Sequence, residues 1–202
     1  MKHYIITSWA LFIFMFFLIF LGSSLYVSFD KNFYQSECKK LGTDCNLTIN
    51  VLDYLNSKGN LTSDFNEREI SHMKDVKNLM NSLKIIFIGS ISILFILVIF
   101  MFLYNYKNFS RFLSIYLMYG SAVSIILTII SAILSLISFD ILFTIFHNLF
   151  FSGNSWLFNP ADTIINIFPE KFFVDAFGFI LMLSISISIA LFILGWIIKK
   201  LK

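Results

Sequence analysis

Polar and apolar positions along this chain segregate into long blocks and do not follow the two-residue or 3.6-residue periods of soluble elements. Four stretches carry no charge: Tyr4 to Phe29, Ile85 to Tyr106, Phe112 to Phe139 and Ala176 to Ile198. Each is long enough to cross the ~30 Å hydrocarbon layer, which takes about 20 helical residues. In lipid a single segment satisfies its own backbone hydrogen bonds only as a helix. The pattern therefore predicts an all-α integral membrane protein with four transmembrane helices, at about 4–29, 85–106, 112–139 and 176–198, in one membrane domain spanning 1–202.

Charge sets the expected orientation. Every Asp and Glu lies between the first and second spans or between the third and fourth, from Asp30 to Asp75 and from Asp140 to Asp175. At the opposite ends of the spans stand only Lys2, Lys107, Arg111, Lys199, Lys200 and Lys202. By the positive-inside rule both termini and the turn Asn105 to Arg111 are cytoplasmic, and the loops 30–84 and 140–175 are extracytoplasmic. The loops are expected to form a partly helical cap with a membrane-embedded or interfacial pocket. Lys2 and the apolar run behind it resemble a signal peptide. The run is longer than a signal core and has no small-residue cleavage site, so it is expected to remain as the first span.

The first loop reads in three parts. Lys31 to Thr43 is polar and is expected to be irregular. Ile49, Leu52, Tyr54 and Leu55 give a short amphipathic helix ending at Lys58-Gly59-Asn60. A second helix is expected to be capped by Ser63 or Asp64, with Glu67 reaching back, and to run to about Asn81 with Phe65, Ile70, Met73, Val76, Leu79 and Met80 apolar. The second loop is too greasy to be solvated. From Phe143 to Phe173, ends included, it holds eight phenylalanines, Trp156, His147 and both prolines of the chain. There Asn159 is expected to cap a short helix, with Pro160 in its first position, Asp162 in its first turn and Pro169 ending it. Non-helical backbone at membrane depth is tolerated where it lines a cavity, so this loop is expected to wall a pocket.

Composition narrows the function classes. The chain is 58% hydrophobic and 13% charged with a net charge of +3. Its basic residues sit mostly at membrane edges, where they meet headgroups, so nucleic acid is not expected as a partner. The spans contain no charge for an ion or proton path, and the two halves do not mirror each other, which argues against a transporter. No phosphate-cradling glycine loop, dinucleotide fingerprint or Gly-x-Ser-x-Gly elbow is present, so neither a nucleotide nor another cofactor is expected. Heavy use of Phe, Ile, Asn and Lys fits an AT-rich bacterial genome, and hence a bacterial cytoplasmic membrane. Cys38 and Cys45 lie in the first loop with six residues between them, and an oxidising compartment would let them pair. Neither sits in a lipid-attachment context.

Of the three histidines, His3 is at the cytoplasmic end and the other two fall one to each loop. Glu69, His72 and Asp75 recur at spacings of three on one helical face, where a carboxylate can fix an imidazole tautomer and stabilise its charged form. The plain alternative is a solvated charged helix. His147 stands among Phe146, Leu149, Phe150 and Phe151, where an unpartnered imidazole is costly to bury. Trp156 and Asp162 each have plain readings, as an interface aromatic and a helix-start residue. Glu69-x-x-His72 with His147 does not make a convincing zinc set, so no metal is expected.

Taken together, Glu69-x-x-His72-Met73-x-Asp75-Val76-Lys77, Phe146-His147-x-x-Phe150-Phe151-x-x-x-x-Trp156-x-Phe158 and Asp162-x-Ile164-Ile165-x-x-Phe168-Pro169-x-x-Phe172-Phe173 resemble the bacterial lipoprotein intramolecular transacylases. The resemblance covers both loops and the four-span layout. It implies an O-to-N acyltransferase that moves the sn-2 acyl chain of a diacylglyceryl-cysteine onto the α-amino group of that cysteine, giving lyso-form lipoprotein. It also implies His72 and His147 as the functional histidines. The expected substrate-side residues are Glu69, Asp75, Lys77, Phe150, Phe151, Trp156, Phe158 and Asp162. Diacylglyceryl-modified lipoproteins and membrane lipid are the expected partners. Ester-to-amide conversion is downhill and needs no nucleotide. Its amine and ester share one molecule, so effective molarities of about 10⁵ M or more become available once they are aligned. Two other readings compete on the residues alone: a metal-dependent membrane hydrolase using His72, His147, Glu69 and Asp162, and a non-enzymatic membrane subunit in which both histidines are structural.

Overall fold

The computed structural model describes the backbone of residues 2–201 and the side chains of residues 10–201. The side chains of Lys2, His3 and Lys202, which entered the reading above, lie outside the described residues. Among the described residues seven helices follow one another: α1 (Lys2–Phe29), α2 (Lys31–Leu41), α3 (Cys45–Leu55), α4 (Glu67–Tyr104), α5 (Tyr106–Phe150), α6 (Thr163–Ile167) and α7 (Glu170–Lys200). No strand occurs among the described residues. Four helices, α1, α4, α5 and α7, are long and apolar enough to cross a membrane. The fold is thus all-α with four membrane-capable helices, as the charge-free blocks predict.

Several local expectations need correction. Lys31 to Thr43 is not irregular, since Lys31–Leu41 is helix α2. Asp30 caps it by accepting the N–H of Asn32 at 3.0 Å. Gly42 ends it in the left-handed region at φ 68°, which a glycine adopts without strain. The helix after Phe65 does not stop near Asn81, and α4 runs unbroken for 38 residues. Its cap is Asn66 and not Ser63 or Asp64: Asn66 Oδ1 accepts the N–H groups of Arg68 and Glu69, and the returning carboxylate is that of Glu69, not Glu67. Nor does the third span give way to loop at Asp140. Helix α5 continues to Phe150 past a kink at Ser138, and no Gly or Pro follows Ser138 until Gly153, which turns the chain at φ 62°. Helix α6 begins at Thr163, not at Pro160. Asp162 Oδ2 accepts the N–H of Asn159 at 2.7 Å and so closes a turn before the helix instead of joining its first turn.

The chain divides into two compact units. The first comprises the chain up to Ser24, Ile85–Ile133 and the chain from Ile180. Its core is Met15, Ile19 and Leu117, flanked by Leu113, Tyr116, Ile187 and Leu191. Helices in lipid gain nothing from hiding one apolar surface against another, so they associate where small residues let backbones approach. Ser121, Ser124 and Thr128 on α5 and Ser184 and Ser188 on α7 are fully buried in this unit. Ser124, Thr128, Ser184 and Ser188 each bond the carbonyl four residues earlier, which satisfies the hydroxyl without an outside partner. Gly195 meets α5 closely, since a Cβ there would lie 2.9 Å from Leu117 Cβ and 3.1 Å from the backbone nitrogen of Met118.

The second unit is Leu25–Lys84 with Leu134–Phe179. Its core gathers Tyr34, Val51, Leu52, Leu55, Phe65, Met73, Ile164, Ile167, Phe168 and Phe172. Helices α2 and α3 are joined by the Cys38–Cys45 disulfide. Closing so short a loop removes about 2.5 kcal/mol of unfolded-chain entropy. Lys40 ties α2 to α7 through Asp175 at 2.7 Å, and Asp175 also binds Lys171.

The glycine contact is directly testable. Gly195→Ala must displace backbone or a short side chain and is expected to destabilise the detergent-solubilised protein by about 1–3 kcal/mol. Gly178→Ala meets open space in α7 and is expected to leave the melting temperature unchanged or higher.

Candidate active site

The site residues lie in the second unit, on the parts of α4 and α5 that extend beyond the charge-free spans and on the segment between α5 and α6. Its foundation is the first turn of α4. Glu69 is only 1% exposed. Its Oε2 accepts the N–H of Asn66 and its Oε1 accepts the N–H of Ile164, both at 2.7 Å. The first bond completes a reciprocal cap with Asn66. The second supplies the N-terminal N–H of α6 with an acceptor that Asp162, its own N-cap, does not provide. Asn66 Nδ2 donates to Asp162 Oδ1 at 3.1 Å, and Thr163 Oγ1 donates to the carbonyl of Asp64 at 2.8 Å. Arg68 donates to the carbonyls of Asn154 (2.8 Å) and Leu157, and its guanidinium lies 5.5 Å from the Phe158 ring centre. The segment after α5 is therefore fastened to the start of α4 on both sides of Trp156.

One turn beyond Glu69 stands His72, and it is not solvated: it is 5% exposed, and His147 is 8% exposed. The two rings face each other with centroids 6.4 Å apart and planes 23° from parallel. Phe151 and Phe158 meet His72 edge-on at 4.8 and 5.3 Å. Around His147 are Phe143 at 4.0 Å, Trp156 at 4.8 Å, Phe146 at 5.4 Å and Phe151 at 5.5 Å. The imidazoles thus share a box of aromatic rings whose walls offer almost no polar atoms.

That box sets their protonation. His72 is pushed down from its ordinary 6.5 to about 4, first by burial, then by the neighbouring charge of His147, with Asp75 opposing. His147 is also lowered by burial, against the opposing effect of its hydrogen bond to Phe143. Both are neutral at pH 7, and protonating one discourages protonating the other. His147 Nδ1 lies 2.8 Å from the carbonyl oxygen of Phe143. A carbonyl only accepts, so Nδ1 carries the proton and Nε2 keeps its lone pair. His72 Nδ1 is buried without a hydrogen-bond partner, as are Trp156 Nε1 and Ser155 Oγ. An unmet buried polar group costs about 1–3 kcal/mol.

The residues expected from sequence sort themselves accordingly. His72, His147, Phe151, Trp156 and Phe158 come together. Glu69 binds backbone amides and makes no hydrogen bond to His72, and Asp162 serves Asn159 and Asn66. Asp75 is exposed, and Lys77 lies over the ring of Tyr54 at 4.3 Å. Phe150 is 43% exposed and packs on Phe146, not on either histidine. The sequence reading missed Asn66, Arg68 and Phe143. The Asn66-x-x-Glu69 pattern is a visible capping box, and Phe143 stands four residues before His147, one helical turn away. Among the described residues no three His, Cys, Asp or Glu side chains gather to hold a metal. A separate open cleft between α2 and α3, lined by Lys31, Gln35, Lys39, Asn46 and Asp53 among others, contains neither histidine.

Fold and site define a multi-pass, all-helical membrane protein with two desolvated histidines in an aromatic box. A family model described as lipoprotein intramolecular transacylase Lit matches residues 9–173, and the chain belongs to that family. It is similar to the solved membrane-integral lipoprotein intramolecular transacylase Lit of Bacillus cereus, with 26% identity and a TM-score of 0.81, covering 99% of this chain and 98% of that one. A further structure of the B. cereus protein, carrying a histidine-to-alanine mutation, matches with a TM-score of 0.74 over 96% of this chain and 92% of that one, again at 26% identity. An uncharacterised protein of Aquifex aeolicus (strain VF5) is 30% identical over 136 residues, or 67% of this chain; the matched stretch spans 58% of that relative's length.

The histidine burial predicts a pH dependence. Between 6.5 and about 4 the unfolded chain takes up a proton that folded His72 refuses, so stability is full above about pH 6.5 and declines as pH falls towards 4. The melting temperature is expected to drop across that window, and His72→Asn, which cannot titrate, is expected to flatten part of the slope.

Proposed function

We propose that this chain is an O-to-N acyltransferase that moves the sn-2 acyl chain of a diacylglyceryl-modified lipoprotein onto the α-amino group of its N-terminal cysteine, leaving the lyso form. The observation that carries this reading is the convergence of two neutral, buried histidines from separate helices, one of them with its tautomer set by Phe143. Family membership supplies the reaction class, and the residues fit it. The amine nitrogen attacks the ester carbonyl carbon, and its N–H proton passes to Nε2 of His147. The bond from carbonyl carbon to glycerol oxygen breaks, and the departing oxygen takes up that proton with His72 completing the transfer. An amide and a free hydroxyl result, so no nucleotide or second acyl donor enters.

Substrate binding follows from the same walls. Phe151, Trp156 and Phe158 line the reacting end, while exposed Phe150 and Phe146 meet the acyl chains and surrounding lipid. Glu69 and Asp162 act by fixing backbone, and exposed Asp75 and half-buried Lys77, on different faces of α4, meet the peptide part of a lipoprotein. The site faces the extracytoplasmic side of a bacterial cytoplasmic membrane and both termini face the cytoplasm. Acid-free flanks at Lys107, Arg111, Lys199 and Lys200 support this sidedness, as does the Cys38–Cys45 disulfide, which belongs to an oxidising compartment.

Two outcomes test the reading. A cysteine at Lys107 in a chain whose own two cysteines are replaced is expected to resist an impermeant thiol reagent in intact cells, whereas one at Lys58 is expected to react; the reverse inverts the topology. Mass spectrometry of lipoprotein N-termini from cells is expected to show lyso-form production falling by about 10²–10⁴ in His147→Asn, where base catalysis is lost. His72 packs against Phe151 and Phe158, so His72→Asn serves better than alanine, with insertion measured alongside. The double variant is expected to be no worse than either single one, because both act in one step. Normal lyso-form levels from either variant would remove that histidine from the chemistry.

A further inference from the structure

The indole nitrogen of Trp156 is sealed from solvent and donates to nothing. Its ring nevertheless stands 4.8 Å from the imidazole of His147 and 6.3 Å from the ring of Phe143. An indole N–H is a donor only, and buried donors almost always find an acceptor. The phenylalanines around it offer none, and although the ring of His147 is close, its free Nε2 makes no hydrogen bond to the indole N–H. Phe143, Phe146, Phe151 and Phe158 have no side-chain acceptor, and the carbonyl of Phe143 already takes His147 Nδ1. The neighbouring Ser155 hydroxyl is likewise buried and unpartnered. The backbone cannot easily swing the ring away to find a partner, because Arg68 grips the carbonyls of Asn154 and Leu157 on either side. If this position required only an apolar wall, phenylalanine would fill it without an N–H to strand, as it does at the positions around it.

We propose that Trp156 is a catalytic hydrogen-bond donor whose indole N–H engages the carbonyl oxygen of the sn-2 ester and stabilises the negative charge that forms there as the amine adds. This deepens the acyl-transfer reading above and rests on it. The indole proton stays on nitrogen throughout: the carbonyl π electrons move onto oxygen as the C–N bond forms, and return as the C–O bond to glycerol breaks. A donor already aligned and kept from water strengthens as charge develops, which accelerates the chemical step more than it tightens ground-state binding.

Trp156→Phe keeps the ring and removes the N–H. In purified protein acting on a diacylated lipopeptide, it is expected to lower kcat by about 10²–10³ with KM changed little, and the shape of the pH profile is expected to be retained because no base is lost. Trp156→His, which restores a ring N–H, is expected to recover part of the rate. An unchanged kcat in correctly folded Trp156→Phe overturns the proposal. Should that variant fail to fold, the wild-type protein decides the matter: its indole N–H resonance, in ¹⁵N-tryptophan-labelled enzyme, is expected to move downfield with an N-acetylated diacyl lipopeptide, which cannot react. It is expected to stay in place with the sn-2 ether analogue, which lacks the carbonyl. Equal shifts with both ligands, or none with either, overturn the proposal. Failure of the purified wild-type protein to convert the diacylated lipopeptide to its lyso form would instead overturn the underlying acyl-transfer reading, so the two failures are separable.

Discussion

The second unit depends on one carboxylate with nowhere else to go. Glu69 is buried, and a carboxylate withdrawn from water must be met by donors or it is prohibitively costly. It meets two backbone N–H groups from different parts of the chain, Asn66 and Ile164. That pair of bonds fixes the start of α4 against the start of α6. Asn66, Asp162, Thr163 and Arg68 extend the same junction with their own bonds, and the segment carrying Trp156 and Phe158 becomes attached to the helix carrying His72. The first turn of α4 is therefore a clamp. The second turn, which carries His72, inherits its position from it.

The histidines inherit their electronic state from packing. Phenylalanine contributes area and shape with no hydrogen-bonding atom, so a box made largely of phenylalanine removes water from an imidazole without replacing it. The neutral form is favoured, and a carbonyl four residues back on the same helix chooses the tautomer of His147. A carboxylate partner of the kind suggested by the Glu69 and Asp75 spacing would have done the opposite and stabilised the charged ring. The spacing was a good guide to which residues share a helix face and a poor guide to which atoms meet.

Much of the fold was legible because membrane-spanning segments announce themselves by length and lack of charge, and all four did. Helix limits in the loops were less so. Asp140 marks where the charge-free stretch ends, not where the helix ends, and α5 runs on to Phe150, shortly before the turn at Gly153. Helix α2 was readable in principle from Asp30 before it and Gly42 after it, but its polar composition hid the recurrence of Phe33, Tyr34, Glu37, Cys38 and Leu41. At the site, the two histidines and the aromatic residues stood out by chemistry. Arg68 did not, because its partners are backbone carbonyls of Asn154 and Leu157, and a carbonyl leaves no trace in a sequence.

The aromatic walls carry a consequence for selectivity between nucleophiles. An ester made electrophilic enough for attack by an amine is also open to attack by water, which is present in bulk at tens of molar. Hydrolysis would waste the acyl chain as free fatty acid. A tethered amine held in line has an effective concentration of about 10⁵ M or more, and rings such as Phe143, Phe151 and Phe158 give a stray water nothing to bind. On the acyl-transfer reading, the same surface that holds both imidazoles neutral also partitions the reaction towards the amide, so fidelity and proton affinity are set by one feature of the fold.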